Sequence, residues 1–263
     1  MLDFITWNVN PEMFSIGSVS IRYYGLLFAS SFVVSYIIMR RIFLNEGLTV
    51  EQLDKLSTYI FVGTVLGARL GHVIFYEPGR YLENPIEIIQ IWKGGLASHG
   101  AGIGIAISLY LASKDLNRTF LWTADRVAML VAVSGFLIRM GNLMNSEIYG
   151  VATSLPWGFI FEINNEVVPK HPTQLYEGGI ALILFFVLFY GYFKTKMYSK
   201  PGLALGIFLV TIFTDRFFIE FIKQVQSAFE NDMLLKMGQI LSIPAVLIGV
   251  YLIIRSLKLK TES

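Results

Sequence analysis

The chain contains no cysteine, which excludes disulfides, thiolate metal sites and a cysteine nucleophile together. Any thiol chemistry must use a thiol that the substrate brings. Charge is also scarce: Asp, Glu, Lys and Arg make up 15% of 263 residues, and 21 basic against 19 acidic side chains leave a formal net charge of +2. So small an excess, without a long Lys/Arg cluster, argues against nucleic acid as a partner. No motif calls for a metal or a cofactor. Residues 1–17 carry Asp3 and Glu12 and lack a basic start, so no cleavable signal peptide is expected there. What fills the chain instead is apolar: 54% hydrophobic residues and a mean hydropathy of +0.59 predict a polytopic membrane protein.

Long apolar runs lie at about 19–39, 56–76, 94–112, 120–143, 171–194, 203–222 and 237–254. Each is close to the roughly 20 residues that a helix needs to cross hydrocarbon. The expected fold is therefore an all-α polytopic membrane protein with about seven transmembrane helices. It reads as a single integral membrane domain over 1–263, with a loop region at about 144–172. That loop is the longest hydrophilic connection, and it has the length of a lid or a docking surface.

The polar residues inside these runs carry the functional signal. The stretch RMGNLMNSEIYG (139–150) places Arg139, Asn142 and Glu147 where a hydrophobic segment meets its loop. An arginine near hydrocarbon costs roughly 2.5 to 3.5 kcal/mol on insertion scales, so Arg139 needs a counter-charge or an anionic ligand. A continuous helix would put Arg139, Asn142, Ser146 and Gly150 on one stripe, and Gly141 and Gly150 leave room for a close backbone or ligand. Two readings stand at this point: a buried Arg–Glu pair tying helices together, or an anion site in a lipid-accessible cavity. GGLASHGAGIG (94–104) sets His99 among glycines, where a side chain that takes up and returns a proton near neutral pH is sterically open. Arg69 is too polar to be idle in its span, and Gly63 and Gly67 have the spacing of a helix-packing pair. HPTQLYE (171–177) reads as a helix start capped by Thr173. Arg216 and Glu220 share a helix face, either as an internal ion pair or as a second basic hand for an anion. Tyr24 sits where tyrosines anchor a span at the interface.

Loop charge orients the spans. The loops after the odd-numbered runs hold Arg40, Arg41, Lys55, Lys114, Arg118, Lys194, Lys196, Lys200, Arg255, Lys258 and Lys260, whereas those after the even-numbered runs hold only Arg80, Lys93, Lys170, Lys223 and Lys236. Basic loops stay in the cytoplasm, so the N-terminus is expected outside and the C-terminus inside. His99, the 139–150 stretch, the 171–177 motif and Arg216 then all face the outer leaflet. Two arginines with a nearby histidine suit chemistry at a phospholipid phosphate, because guanidinium binds phosphate bidentately and stabilises it as a leaving group.

These residues resemble the bacterial prolipoprotein diacylglyceryl transferases. The resemblance rests on GGLASHG (94–100), R-x-G-N-x-x-N-x-E-x-x-G (139–150), HPTQLYE (171–177), R-x-x-x-E (216–220) and MGQILSIP (237–244), in the family's order along most of the chain. It implies transfer of the diacylglyceryl group from phosphatidylglycerol to the lipobox cysteine thiol of a prolipoprotein signal peptide, forming a thioether and releasing glycerol phosphate. It implies no cofactor, and a multi-pass location among the lipids of the bacterial cytoplasmic (inner) membrane. By the same resemblance His99, Arg216 and Glu220 are catalytic, and Arg139, Asn142, Glu147, Gly150 and Tyr24 bind phosphatidylglycerol. Whether His99 or a carboxylate such as Glu220 accepts the thiol proton stays open.

The chain departs from the family pattern at three places. Ile212 stands where an aromatic is common, Lys223 where an arginine is common, and Ser98 replaces a frequent aromatic before His99. Lys223 keeps the charge but loses the planar fork of arginine. An anion transporter is the rival reading, yet no internal repeat is visible. An intramembrane protease is disfavoured by the absence of its serine or paired-aspartate motifs.

Overall fold

A computed structural model describes residues 4–17, 19–91, 94–95, 97–224 and 233–258, which are mostly helical. The helices are α1 (Tyr23–Asn45), α2 (Val50–Phe75), the short α3 (Pro78–Glu83), α4 (Ser98–Asp115), α5 (Phe120–Met144), α6 (Thr173–Lys194), α7 (Leu203–Ile222) and α8 (Met237–Lys258). Two small sheets accompany them: β1 (Ile5–Trp7) pairs in parallel with β4 (Phe159–Phe161), and β2 (Glu12–Ile16) pairs antiparallel with β3 (Val19–Arg22). The expected all-α chain is thus mostly helical rather than wholly so. Residues 19–22, expected to open the first span, form a strand because Val19 and Ile21 alternate with Ser20 and Arg22 at the period of a strand.

Five helices, α1, α2, α5, α6 and α8, are long and apolar enough to cross a membrane. The chain is accordingly a multi-pass membrane protein. The other two long helices fall outside that set: α7 is apolar but carries three charged side chains, Asp215, Arg216 and Glu220, and α4 has polar ends, running from Ser98 and His99 to Lys114 and Asp115. Large apolar side chains such as Phe75, Ile183, Phe218 and Leu247 are exposed, while Arg69, Asp125, Asn142, Gln174 and Glu177 are buried. Hydrocarbon as solvent favours this inversion, since ionisable groups in a bilayer turn to the protein interior.

The chain divides into two compact units, Ile38–Ala124 and Met1–Ile37 with Asp125–Ser263. In the first, α2 starts from a capping box in which the Gln52 N–H donates to Thr49 Oγ1 at 3.3 Å and the Thr49 N–H donates to Gln52 Oε1 at 2.9 Å. The Gly63 and Gly67 pair does pack helices: α2 lies so close to α4 that a methyl on Gly67 would meet Gly104 Cα at 2.9 Å. Ser108 Oγ then donates across the contact to the Tyr59 carbonyl at 2.6 Å.

In the second unit, Asp125 is fully buried and caps α7. Its carboxylate accepts the N–H groups of Gly202 at 2.7 Å and Leu205 at 2.8 Å, two donors that the first helical turn leaves without partners. A small hydrophobic core of Phe159, Phe161 and Leu143 packs against Trp7 and Tyr149. Trp7 Nε1 donates to the Leu143 carbonyl at 3.1 Å, and this ties the N-terminal strand to the end of α5.

The α2–α4 contact predicts a contrast within one helix. Gly104→Ala should destabilise the purified protein in detergent by on the order of 1–3 kcal/mol, the cost of an overpacked contact, and so lower its melting midpoint. Gly102→Ala, whose methyl would meet nothing within 4 Å, should leave the midpoint unchanged or raised. Equal midpoints for the two variants would refute the packing argument.

Candidate active site

Helix α5 ends at Met144, earlier than a continuous 139–150 helix requires. Asn145, Ser146 and Glu147 close the last turn on the carbonyls of Gly141, Leu143 and Asn142. Ser146 (φ 52°) and Ile148 (φ 60°) then take left-handed backbone conformations, which stop a helix of L-residues. The expected polar stripe therefore stops at Asn142, and Ser146 and Gly150 belong to the loop.

The turn nevertheless gathers the motif's polar side chains. Arg139 Nη1 donates to Asn142 Oδ1 at 3.2 Å, and Asn142 Nδ2 donates to Glu147 Oε1 at 2.8 Å, with Asn145 Nδ2 at 3.4 Å from the same oxygen. Asn142 thus bridges Arg139 and Glu147. The backbone of the turn is pinned from α6, where Gln174 Nε2 donates to the Glu147 carbonyl at 2.7 Å and Thr173 Oγ1 to that of Ile148 at 2.8 Å. Gly150 marks the meeting of three segments: its N–H donates to the His171 carbonyl at 2.8 Å, and an added Cβ would lie 2.5 Å from the Ile222 oxygen and 2.7 Å from His171 Cβ. Its missing side chain is taken up by backbone approach.

Arg139 has its counter-charge in Glu177. The guanidinium makes a two-pronged pair, with Nε 3.0 Å from Oε2 and Nη2 3.0 Å from Oε1, and Lys223 Nζ lies 3.2 Å and 3.3 Å from the same two oxygens. Glu177 and Lys223 are both buried. Asp215 feels the charges of Glu177, Arg139 and Lys223. Glu177 and Asp215 are the residues that sequence reasoning missed. Glu177 was absorbed into a helix-cap motif, although a carboxylate at the mouth of an apolar span is itself a sign of a buried partner.

On α7, Arg216 and Glu220 do not form the internal ion pair that their spacing allows, and among the described residues Arg216 has no ion pair at all. Both face Gly238 at the start of α8. A Cβ there would collide with Glu220 Oε2 and lie 3.4 Å from Arg216 Nε, so Gly238 leaves the space these two side chains occupy. Lys236 Nζ donates to the carbonyls of Glu220 and Lys223, each at 2.8 Å, and secures the C-terminal end of α7.

Tyr24 lies in the first turn of α1, half-buried, with its ring against Gly141: a Cβ on that glycine would meet Tyr24 Cδ2 at 2.8 Å. The phenol feels the charges of Glu147 and Arg139, which an interfacial anchor alone has no need to do. Beside it a cavity of about 450 Å³ is lined by residues that include Ile21, Arg22, Tyr24, Leu26 and Asn145. Of these, Asn145 carries a buried side-chain oxygen without a hydrogen-bond donor. His99 stands in the first turn of α4, in the Ile38–Ala124 unit, with its side chain outside the described set. His72 stacks on Tyr76 with ring centroids 5.4 Å apart, a structural role. His171 contacts Tyr176 Oη through Nδ1 at 3.3 Å, and burial holds its imidazole below the ordinary histidine value.

Residues 11–255 match the family model described as prolipoprotein diacylglyceryl transferase. Among similar proteins is the phosphatidylglycerol–prolipoprotein diacylglyceryl transferase of Tolumonas auensis, 46% identical over 257 residues that cover 97% of this chain and 99% of that protein. The protein of the same name from Chloroherpeton thalassium is 43% identical over 256 residues, covering 97% of this chain and 95% of the relative. That from Porphyromonas gingivalis is 44% identical over 272 residues, with the same two coverages.

The shared carboxylate makes a stability prediction. Glu177→Gln leaves the buried Lys223 and the half-buried Arg139 without their counter-charge and should cost about 3–5 kcal/mol, the usual penalty for breaking a buried pair from one side. Glu147→Gln keeps an amide oxygen to accept from Asn142 and should cost about 1 kcal/mol or less. Thermal melts of the two proteins in detergent check the difference, and a Glu177→Gln midpoint at or above that of Glu147→Gln would contradict it.

Proposed function

Because the chain belongs to the prolipoprotein diacylglyceryl transferase family, we propose that the charged groups gathered on α5, α6 and α7 form its phospholipid-phosphate site. The protein transfers the diacylglyceryl group of phosphatidylglycerol to the cysteine thiol of a prolipoprotein, the first step of lipoprotein maturation. The sulfur forms a C–S bond to the glyceryl carbon that carries the phosphate ester. The C–O bond at that carbon breaks, its electron pair leaves with glycerol phosphate, and the thiol proton passes to a base. No cysteine is present in the enzyme, and one displacement by the substrate thiol accounts for the products without a covalent enzyme intermediate.

The observation that carries the site assignment is Arg216, an arginine on a long apolar helix with no ion pair among the described residues. Such a cation calls for an anionic ligand, and a phosphate satisfies it. Arg139 supports the same reading with less freedom. Its five N–H donors include three engaged by Glu177 and Asn142, which leaves two for a phosphate oxygen. In this reading Arg139, Asn142, Glu147 and Tyr24 bind phosphatidylglycerol, and Gly150 contributes by letting its loop pack against His171 and Ile222. Arg216 stabilises the leaving phosphate, Glu220 holds the charge balance beside it, and His99 accepts the thiol proton.

The same proposal has the whole chain acting as one membrane domain of seven spans. The N-terminus and residues 144–172 lie outside the cytoplasmic (inner) membrane, the C-terminus lies in the cytoplasm, and the site faces the outer leaflet. The excess of Lys and Arg in alternate loops supports that orientation.

Two measurements test this. With phosphatidylglycerol labelled in its headgroup and a lipobox peptide, wild type should release glycerol phosphate only when the peptide carries its thiol. Arg216→Lys and Arg139→Ala should each lower kcat/KM by about 100-fold, as for loss of a transition-state charge donor. Release that ignores the peptide thiol would point to lipid hydrolysis instead, and an unimpaired Arg216→Lys would remove that residue from the site. For topology, the cysteine-free chain takes single cysteines cleanly. Asn164→Cys should react with an impermeant maleimide on intact spheroplasts and Lys258→Cys should not, and the reverse pattern would invert the orientation.

A further inference from the structure

Arg69 is a cation on an apolar helix that the proposed chemistry leaves without a role. It is 3% exposed, and among the described residues it pairs with no carboxylate. Its partners are backbone carbonyls. Nε donates to Ile88 at 2.8 Å, Nη1 to Gly94 at 2.5 Å and to Gly95 at 3.1 Å, and Nη2 to Glu87. The face of the guanidinium rests on the buried Tyr81 ring, 4.9 Å from its centroid.

Irregular backbone packed beside a membrane helix has carbonyls that no ladder satisfies, and leaving them so is costly. One planar side chain binds four carbonyls here, between residues 87 and 95, of which that of Glu87 also accepts the Gln90 N–H at 3.1 Å. Glutamine cannot do this, and a lysine ammonium has only three donors and no fork. The segment held in this way runs directly into α4. Gly94 and Gly95 take φ values of 86° and 76°, and a Cβ on Gly95 would meet Arg69 Nη1 at 2.7 Å and the His72 ring at 2.7 Å. The α4 N-cap residue Ala97 donates its N–H to the carbonyl of Ala68 at 2.9 Å, the residue before Arg69. Two adjacent residues of α2 therefore hold both the approach to α4 and its N-cap, and His99 lies two residues beyond that cap.

We propose that Arg69 is a positioning residue for His99: by binding the carbonyls of the preceding loop it sets where the backbone presents the histidine. The proposal rests on His99 as the acceptor of the thiol proton. It predicts a defect in the chemical step, with lipid binding untouched.

The test measures kcat and the phosphatidylglycerol KM for Arg69→Lys, for His99→Gln and for the double variant, each checked for an unchanged melting midpoint. Arg69→Lys should lower kcat by about 10- to 100-fold, the scale of an ångström-sized misplacement. KM should stay within about twofold, and in the His99→Gln background the same substitution should change the residual rate by less than about twofold, because groups acting as a unit are not additive. If Arg69→Lys does not fold, Gly95→Ala perturbs the clamp from the loop side with Arg69 intact and should give the same signature. Wild-type kcat in Arg69→Lys while His99→Gln is impaired would overturn the proposal alone, as would an equal loss in the two backgrounds. Undiminished activity in His99→Gln would overturn the reading of His99, and the proposal with it.

Discussion

The two-pronged pairing of Arg139 with Glu177 is the interaction on which the site's architecture hangs. Charges of this kind attract strongly once away from water, and they are costly when one of them is left alone. The pair joins α5 to α6, and Lys223 brings in the end of α7 through the same two carboxylate oxygens. The backbone repeats the junction nearby, where Gly150 and Val151 bond to His171 and Ile222. A carboxylate shared by two cations thus holds three chain segments in register beneath the turn that carries Asn142 and Glu147.

Small residues give the charged groups their places. Lipid tails are as apolar as the side chains they meet, so helices associate through close packing more than through hydrophobic transfer. Gly141 lets the Tyr24 ring lie against α5, within the field of Arg139 and Glu147, and Gly238 leaves the volume that Glu220 and Arg216 occupy. Packing and electrostatics are therefore one design at this site. A side chain at either glycine would displace the groups proposed to meet the phosphate.

The division of labour between enzyme and substrate follows from the residues present. The nucleophile is the thiol of the prolipoprotein, and the leaving group is a phosphate monoester already stable as an anion. What the protein has to supply is positive charge at the phosphate, a proton acceptor and orientation. Arg216, His99 and the network around Arg139 are the groups proposed to meet those needs. The buried, carbonyl-bound Arg69 fits the need for orientation.

Composition and spacing alone determined that this is a helical membrane protein, because a run of apolar residues long enough to span hydrocarbon is a property of contiguous sequence. They also marked Arg69, Arg139 and Arg216 as significant, since the cost of a cation in lipid does not depend on the fold. Most span limits were legible for the same reason: 120–143 is α5 to within a residue, and 203–222 is α7. The partners of those arginines were decided only by tertiary structure. Glu177 is 38 positions from Arg139, a through-space pairing that no local periodicity records. Helix α5 stops at Met144 although 139–150 has a helical pattern, because left-handed turns at Ser146 and Ile148 are held by hydrogen bonds from α6. Arg69 is satisfied by carbonyl oxygens, which every residue carries and which no letter of the sequence distinguishes.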